Sequence, residues 1–331
     1  MITRRGLLES GLCVAATAGL PLASTAMAQG SYPNRPIRLV IISVAGDVMD
    51  VLGRIWAEEV KSSLGTVVMD NRPGAGGLIG ANEAMRAAAD GYTLLLGSTT
   101  THVVLPLLAR GVLYDPFKDF VGASIFSIAS TCITVHPSVP VKTLSELIAY
   151  AKKNPGKLSR GSTGMGSLNH LAGELFVHLG GDLKITHIPY KGMGQAMSDL
   201  LSGEVPVFTP NLTSQILELH RLGKVRILAV NADQRVQLAP DLPTAAEEGL
   251  PGMVAKNFQG IFARSETPKE VLELIERTMR TSMASESFKK TLLKNGYEPQ
   301  FVFGAADTGR FVKEDFDHWA PIIKRAGITL D

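Results

Sequence analysis

Short apolar runs alternate with helical-period segments along this chain, and glycine-rich or hydroxyl-rich turns separate them. Residues 37–42 read as a buried strand and 51–62 as an amphipathic helix. The β-branched pair Val67-Val68 precedes glycines at 74, 76 and 77, an alanine-rich helix, an Asp90-Gly91 turn and an apolar strand over 92–96. Residues 67–100 therefore form one strand–helix–strand unit. A β-rich run over 123–135 shows no helical period and is long enough to cross between lobes. Thr143-Leu144-Ser145-Glu146 matches a capping box opening a helix to Lys153. Then come a polar loop over 161–167, a helix over 168–179, a strand over 184–188, a helix over 194–201 and a short strand over 205–209. Residues 225–230 read as a return crossing. Two crossings imply one discontinuous lobe, 29–128 with 235–331, and one continuous lobe, 129–234.

Both lobes present hydroxyl and glycine residues at strand ends, where open α/β sheets form their ligand crevice. In the first, Gly97 is followed by Ser98, Thr99, Thr100 and Thr101. In the second, the backbone of Gly164 and Gly166 and the start of the next helix suit a carboxylate, with Ser162, Thr163 and Ser167 supplying hydroxyls. An ordinary capped turn has the same composition. His170 falls in the first turn of that helix, facing the cleft or packed beneath it. Tyr190 could wall the site and Lys191 lend it a charge, although a loop lysine is as readily solvated. Asn211 could lend an amide or make an Asx-type turn after Pro210.

Arg4 and Arg5 precede an apolar run over 11–26, and Ala26-Met27-Ala28 has the small-x-small form of a cleavage site. Residues 1–28 are therefore expected to be a signal peptide, cut after Ala28, with the mature chain in the periplasm. Thr3-Arg4-Arg5-Gly6-Leu7-Leu8 also resembles a twin-arginine signal. Cleavage removes Cys13 and leaves Cys132, expected as a buried, inert thiol. Loss of Arg4, Arg5 and Glu9 takes the formal charge from +2 to +1, which argues for neither nucleic acid nor anionic membrane as a partner. About 300 residues remain, enough for two domains.

The unit over 67–100, Ile188-Pro189-Tyr190-Lys191-Gly192 and the stretch Leu-Pro-Thr-Ala-Ala-Glu-Glu-Gly-Leu-Pro over 242–251 closely resemble the substrate-binding proteins of tripartite tricarboxylate transporters, the Bug family. That resemblance runs from about Tyr32 to the C-terminus. It implies an α/β, two-lobed type II periplasmic binding protein, each lobe a sheet flanked by helices, with a hinge of two crossing strands. It further implies a monomeric receptor without cofactor or metal, taking a small organic acid or related polar ligand to membrane permease subunits. The first loop departs from the family, which normally carries Pro-Phe-Ala-Pro-Gly-Gly, two small residues and an Asp there. Gly46 and Asp50 are retained, but Asp47 replaces the second glycine and Val48 and Met49 replace the small pair. Asp47 either points into the cleft, where it would repel an acidic ligand, or faces water and favours the helix N-terminus.

Catalytic motifs are missing from the sequence: no Gly-x-Ser-x-Gly elbow, no phosphate loop, no His-Glu-x-x-His pair. The seven histidines are scattered without metal-ligand spacing. A secreted hydrolase assembled from distant residues is the weakest alternative. A ligand-presenting partner of a membrane sensor kinase is the stronger one, and sequence does not separate it from transport.

Overall fold

Three strands at the start of the chain set the frame: β1 (Ile37–Ile41), β2 (Val67–Asn71) and β3 (Thr93–Ser98), with β1 parallel to both neighbours. A strand covered on both faces needs consecutive rather than alternating apolar positions, and Leu39, Val40 and Ile41 are all buried. The crossovers run through α1 (Val48–Leu64) and α2 (Leu78–Arg86), the second entered by a 3-10 turn at Ala75–Gly77. After β3 a π-helical turn, Thr100–Val104, runs into the short α3 (Leu105–Leu108).

The computed structural model describes residues 32–190 and 192–328; the expected signal peptide, Cys13 and Lys191 lie outside the described residues. β4 (Phe120–Ser130) and β5 (Cys132–Val135) are parted only by Thr131, so the expected long run is two strands in two different sheets. There follow α4 (Leu144–Lys153), β6 (Leu158–Ser162), α5 (Leu168–Leu179), β7 (Ile185–Pro189), α6 (Met193–Ser202), β8 (Val207–Phe208), α7 (Ser214–Arg221) and β9 (Arg226–Val230). The tail supplies β10 (Lys256–Arg264), α8 (Lys269–Ala284), α9 (Glu286–Lys294), β11 (Glu298–Phe303) and α10 (Ala305–Ala326). The first sheet runs β11-β4-β10-β3-β1-β2 and the second β7-β6-β8-β5-β9; both mix parallel and antiparallel pairs, giving a two-lobed α/β architecture.

Element boundaries moved for local reasons. α1 starts at Val48, ahead of the predicted residue 51, because Asp47 caps it by accepting the Val48 N–H at 2.7 Å. β6 extends through Gly161 and Ser162, which pair with β7, leaving a loop of 163–167. Residues 226–230 pair with β5 at the edge of the second sheet, and the chain re-enters the first sheet at Lys256.

The passage between sheets is tied by a closed ring of backbone bonds. Thr131 donates its N–H to Ala255 O (2.9 Å), Ala255 donates to Asn231 O (3.0 Å), and Asn231 donates to Thr131 O (2.9 Å). Side chains reinforce the ring: Thr131 Oγ1 donates to Ala255 O and Asn231 Nδ2 to Thr131 Oγ1. Cys132, next along the chain, is wholly buried, and burial pushes its thiol up to about 12, which leaves it unreactive. Trp56 and Trp319 are fully buried in the first lobe; Trp56 Nε1 lies 2.8 Å from Met279 Sδ, joining α1 to α8.

Candidate functional site

A cleft of about 360 Å³ opens between loops belonging to the two sheets. One wall is the carboxyl end of β1 and the start of α1, with Ser43, Asp47 and Met49, together with Gly76, Thr100 and Leu105. The other is the loop between β6 and α5, residues 163–167, with Leu168, Asn169 and Asn211; Asn257 joins from β10.

The first wall is held from behind by Asp50, which is 1 % exposed. Its carboxylate accepts from Gly46 N–H (2.8 Å), Arg54 Nε (2.8 Å) and Asn71 Nδ2 (3.1 Å), and Asn71 Nδ2 also reaches Ser43 O. The Arg54 hydrogen bond, opposed by burial and helped by those from Gly46 and Asn71, holds the Asp50 carboxyl down at about 2. Every acceptor direction of Asp50 is thus turned toward the protein. Asp47, by contrast, keeps one oxygen on the N-terminus of α1 and lines the cleft.

The second wall needs unusual backbone. Gly164 (φ +133°) and Gly166 (φ +72°) adopt conformations that suit glycine, and Ser167 caps α5 by accepting the His170 N–H at 3.2 Å. Thr163 Oγ1 donates to Asn169 Oδ1 (2.8 Å), while Asn169 Nδ2 donates to Thr209 O (2.7 Å). Beneath the loop, Gly166 N–H donates to His170 Nδ1 (3.1 Å), and Ser162 Oγ bonds His187 Nε2 (2.7 Å) and the Gly164 backbone. The two imidazoles stack face to face, centroids 4.0 Å apart and 7° from parallel. Burial, then the neighbouring His170 ring and the Arg160 guanidinium, push His187 down to about 4. Burial raises Glu174, but His170 and the buried Arg160 outweigh it and keep the carboxylate ionised.

His170, Glu174 and His187 bring candidate ligand atoms within 4.8 Å of one another. Parallel stacked rings, however, direct their lone pairs into separate planes, so one ion cannot sit about 2 Å from both nitrogens. Arg160 already neutralises Glu174. The cluster is a polar brace under the loop.

The structure gathers Asp47, Thr163, Gly164, Gly166, Ser167 and Asn211 at the cleft. The other expected residues stand off its lining. Gly46 is committed through its N–H to Asp50. Ser98 donates its N–H to Thr101 Oγ1 (2.9 Å), Thr99 donates to Asp315 Oδ2 (3.0 Å), and Tyr190 donates to Asp199 Oδ2 (2.6 Å). Ser162 and His170 belong to the brace, and Lys191 lies outside the described residues. Sequence reasoning missed Asn169 and Asn257; their signal was a polar residue inside an otherwise apolar helix start and strand. Among the described residues no Lys, Arg or His side chain lines the cleft, and Asp47 is its one charge. Such a site can hold an anion on backbone N–H groups and a helix N-terminus.

Known proteins agree with this geometry. Residues 52–328 match the Tripartite tricarboxylate transporter family receptor. Protein BugT of Bordetella pertussis is 33% identical over 318 residues, covering 95% of each chain. The solved structure of R. palustris Rpa4515 with adipate superposes with a TM-score of 0.79 at 32% identity, covering 90% of this chain and 99% of that one. MatC from Rhodopseudomonas palustris with bound malate gives 0.74 at 26% identity, covering 88% and 100%. With most of its length matched by the family and by these relatives, the chain belongs to the tripartite tricarboxylate transporter receptor family.

Proposed function

We propose that this protein is a periplasmic solute receptor that captures a small organic carboxylate between its lobes, 129–234 and 29–128 with 235–331, and delivers it to the permease subunits of a tripartite tricarboxylate-type transporter. The observation that carries the reading is the cleft itself: loops from both sheets meet there, and the 163–167 loop presents the N-terminus of α5. A ligand bridging two lobes is buried on both sides, and its differential affinity for the closed arrangement drives closure. Adipate and malate in the two relatives support a carboxylate ligand. The signal-peptide pattern over 1–28 supports export, and among the described residues no helix is long and apolar enough to cross a membrane.

The same reading assigns no chemistry to the chain. A thermal-shift screen of the mature protein against organic acids tests it, because a ligand that binds only the native state raises stability with saturation. The expected outcome is a saturable rise with at least one carboxylate, recovered unchanged afterwards. Stoichiometric conversion of the ligand, or no stabilisation by any acid, would sink the proposal.

A further inference from the structure

The two walls of the cleft are electrically unlike. α1 and α5 both begin at it, and each helix N-terminus carries a partial positive charge from its unsatisfied N–H groups. At α5 the cap is Ser167, a neutral hydroxyl, so that end still attracts an anion. At α1 the cap is Asp47, a carboxylate supplied by the protein, with one oxygen on the Val48 N–H. The positive pole of α1 is therefore already answered. No cation lines the cleft among the described residues to balance a second anion beside Asp47, and Asp47 makes no ion pair among them.

Two further features describe what the cleft offers a ligand. The Oδ1 atoms of Asn211 and Asn257 and Ser43 Oγ are buried at the cleft without a hydrogen-bond partner in the chain. Amide groups and a hydroxyl can accept from N–H or O–H, as can Asp47. The lining is otherwise largely apolar: Ile42, Met49, Val104 and Leu105 come from the first wall, and Met165, 50 % exposed, with Leu168 from the second.

We propose that the cleft selects a monocarboxylate with an apolar body and a far end that is a hydroxyl, amide or ammonium, and that Asp47 rejects dicarboxylates by occupying the place of their second anion. The carboxylate sits on the 163–167 loop and the N-terminus of α5; the donor-bearing end faces Asp47. This rests on the receptor reading and names the ligand class of the same site. A second like charge roughly 6–8 Å from Asp47, at an effective dielectric constant of ~20–40, weakens binding by roughly sixfold to a hundredfold.

The test compares molecules of one length that differ only at the far end: adipate, hexanoate, 6-hydroxyhexanoate and 6-aminohexanoate, with succinate, 4-hydroxybutanoate and 4-aminobutanoate as a shorter set. Calorimetric titration is run at low and moderate salt on the native protein and on Asp47→Asn, which keeps an equally good helix cap and removes the charge. Unfolding curves confirm that the variant is folded. The native protein should bind the hydroxy or amino acid at least about sixfold more tightly than the dicarboxylate of its set, and Asp47→Asn should shift the ratio of dicarboxylate to hydroxy-acid affinity by at least about sixfold toward the dicarboxylate. Dicarboxylate binding as tight as the hydroxy acid in the native protein, or a ratio untouched by the substitution, overturns this inference and leaves the receptor standing. Failure of all seven acids to bind either protein overturns the receptor reading, and this inference with it.

Discussion

Asp50→Asn should loosen the first wall of the cleft while leaving both sheets in place. The substitution keeps the side-chain shape but turns an amide N–H₂ toward one of three donors, Gly46 N–H, Arg54 or Asn71. Because the folded carboxyl lies at about 2 against an ordinary 3.8, and one unit is worth 1.36 kcal/mol, the ionised form is favoured by at most about 2.5 kcal/mol. Arg54, the largest contributor, is 57% exposed, so water screens part of this and a cost of roughly 1–2 kcal/mol at pH 7 is expected. The sign follows from the depressed value: the stabilisation is full above the unfolded pKa and disappears as pH falls through 3.8 toward 2. Urea unfolding of native and variant proteins between pH 7 and pH 2.5 measures it. The gap between the two should close on the acid side. A gap under about 0.5 kcal/mol at pH 7, or one that stays constant to pH 2.5, would show that the charge of Asp50 does not anchor the loop.

His187, held down at about 4 by burial and the nearby charges, should titrate near that value by NMR; since its folded value lies below the unfolded one, stability it contributes is lost as pH falls from about 6.5 toward 4, and His187→Gln should flatten that window. A midpoint near 6.5 would remove the brace from the account. Gly173→Ala drives a Cβ into the buried Arg160 guanidinium and should destabilise by roughly 1–3 kcal/mol in chemical denaturation, with wild-type stability as the contrary result. Ser162→Ala, cutting the bond to His187, should lower the melting temperature, whereas Thr163→Ala, at the cleft, should weaken ligand binding with a smaller thermal effect; the reverse pattern would exchange their places.

Most strands and helices before residue 230 were legible because their signals are local. Consecutive apolar residues gave β1, a capping box gave α4, and Ser167 with the apolar helix after it gave α5. The cleft was half legible for the same reason. Glycine and serine at a strand exit announce a loop that approaches something, and residues 163–167 do line the cleft. Local composition does not say which way a hydroxyl turns. Ser98, Thr99 and Thr101 look like a ligand-facing row, yet Thr101 folds back on Ser98 and Thr99 meets Asp315, 216 residues away. Asn257 reaches the cleft only because β10 pairs with β3 and β4, a long-range choice invisible in its own neighbourhood. Burial likewise converts Asp50 and His170, both plausible contacts on paper, into supports.

The ring at Thr131, Asn231 and Ala255 is closed by main-chain groups alone, each residue giving one N–H and receiving one. The main-chain circuit is consequently acutely sensitive to one replacement, proline, which has no N–H to give. Ala255, the plainest of the three, is where Ala255→Pro would open the circuit at a single point by removing the N–H that ties it to Asn231 O.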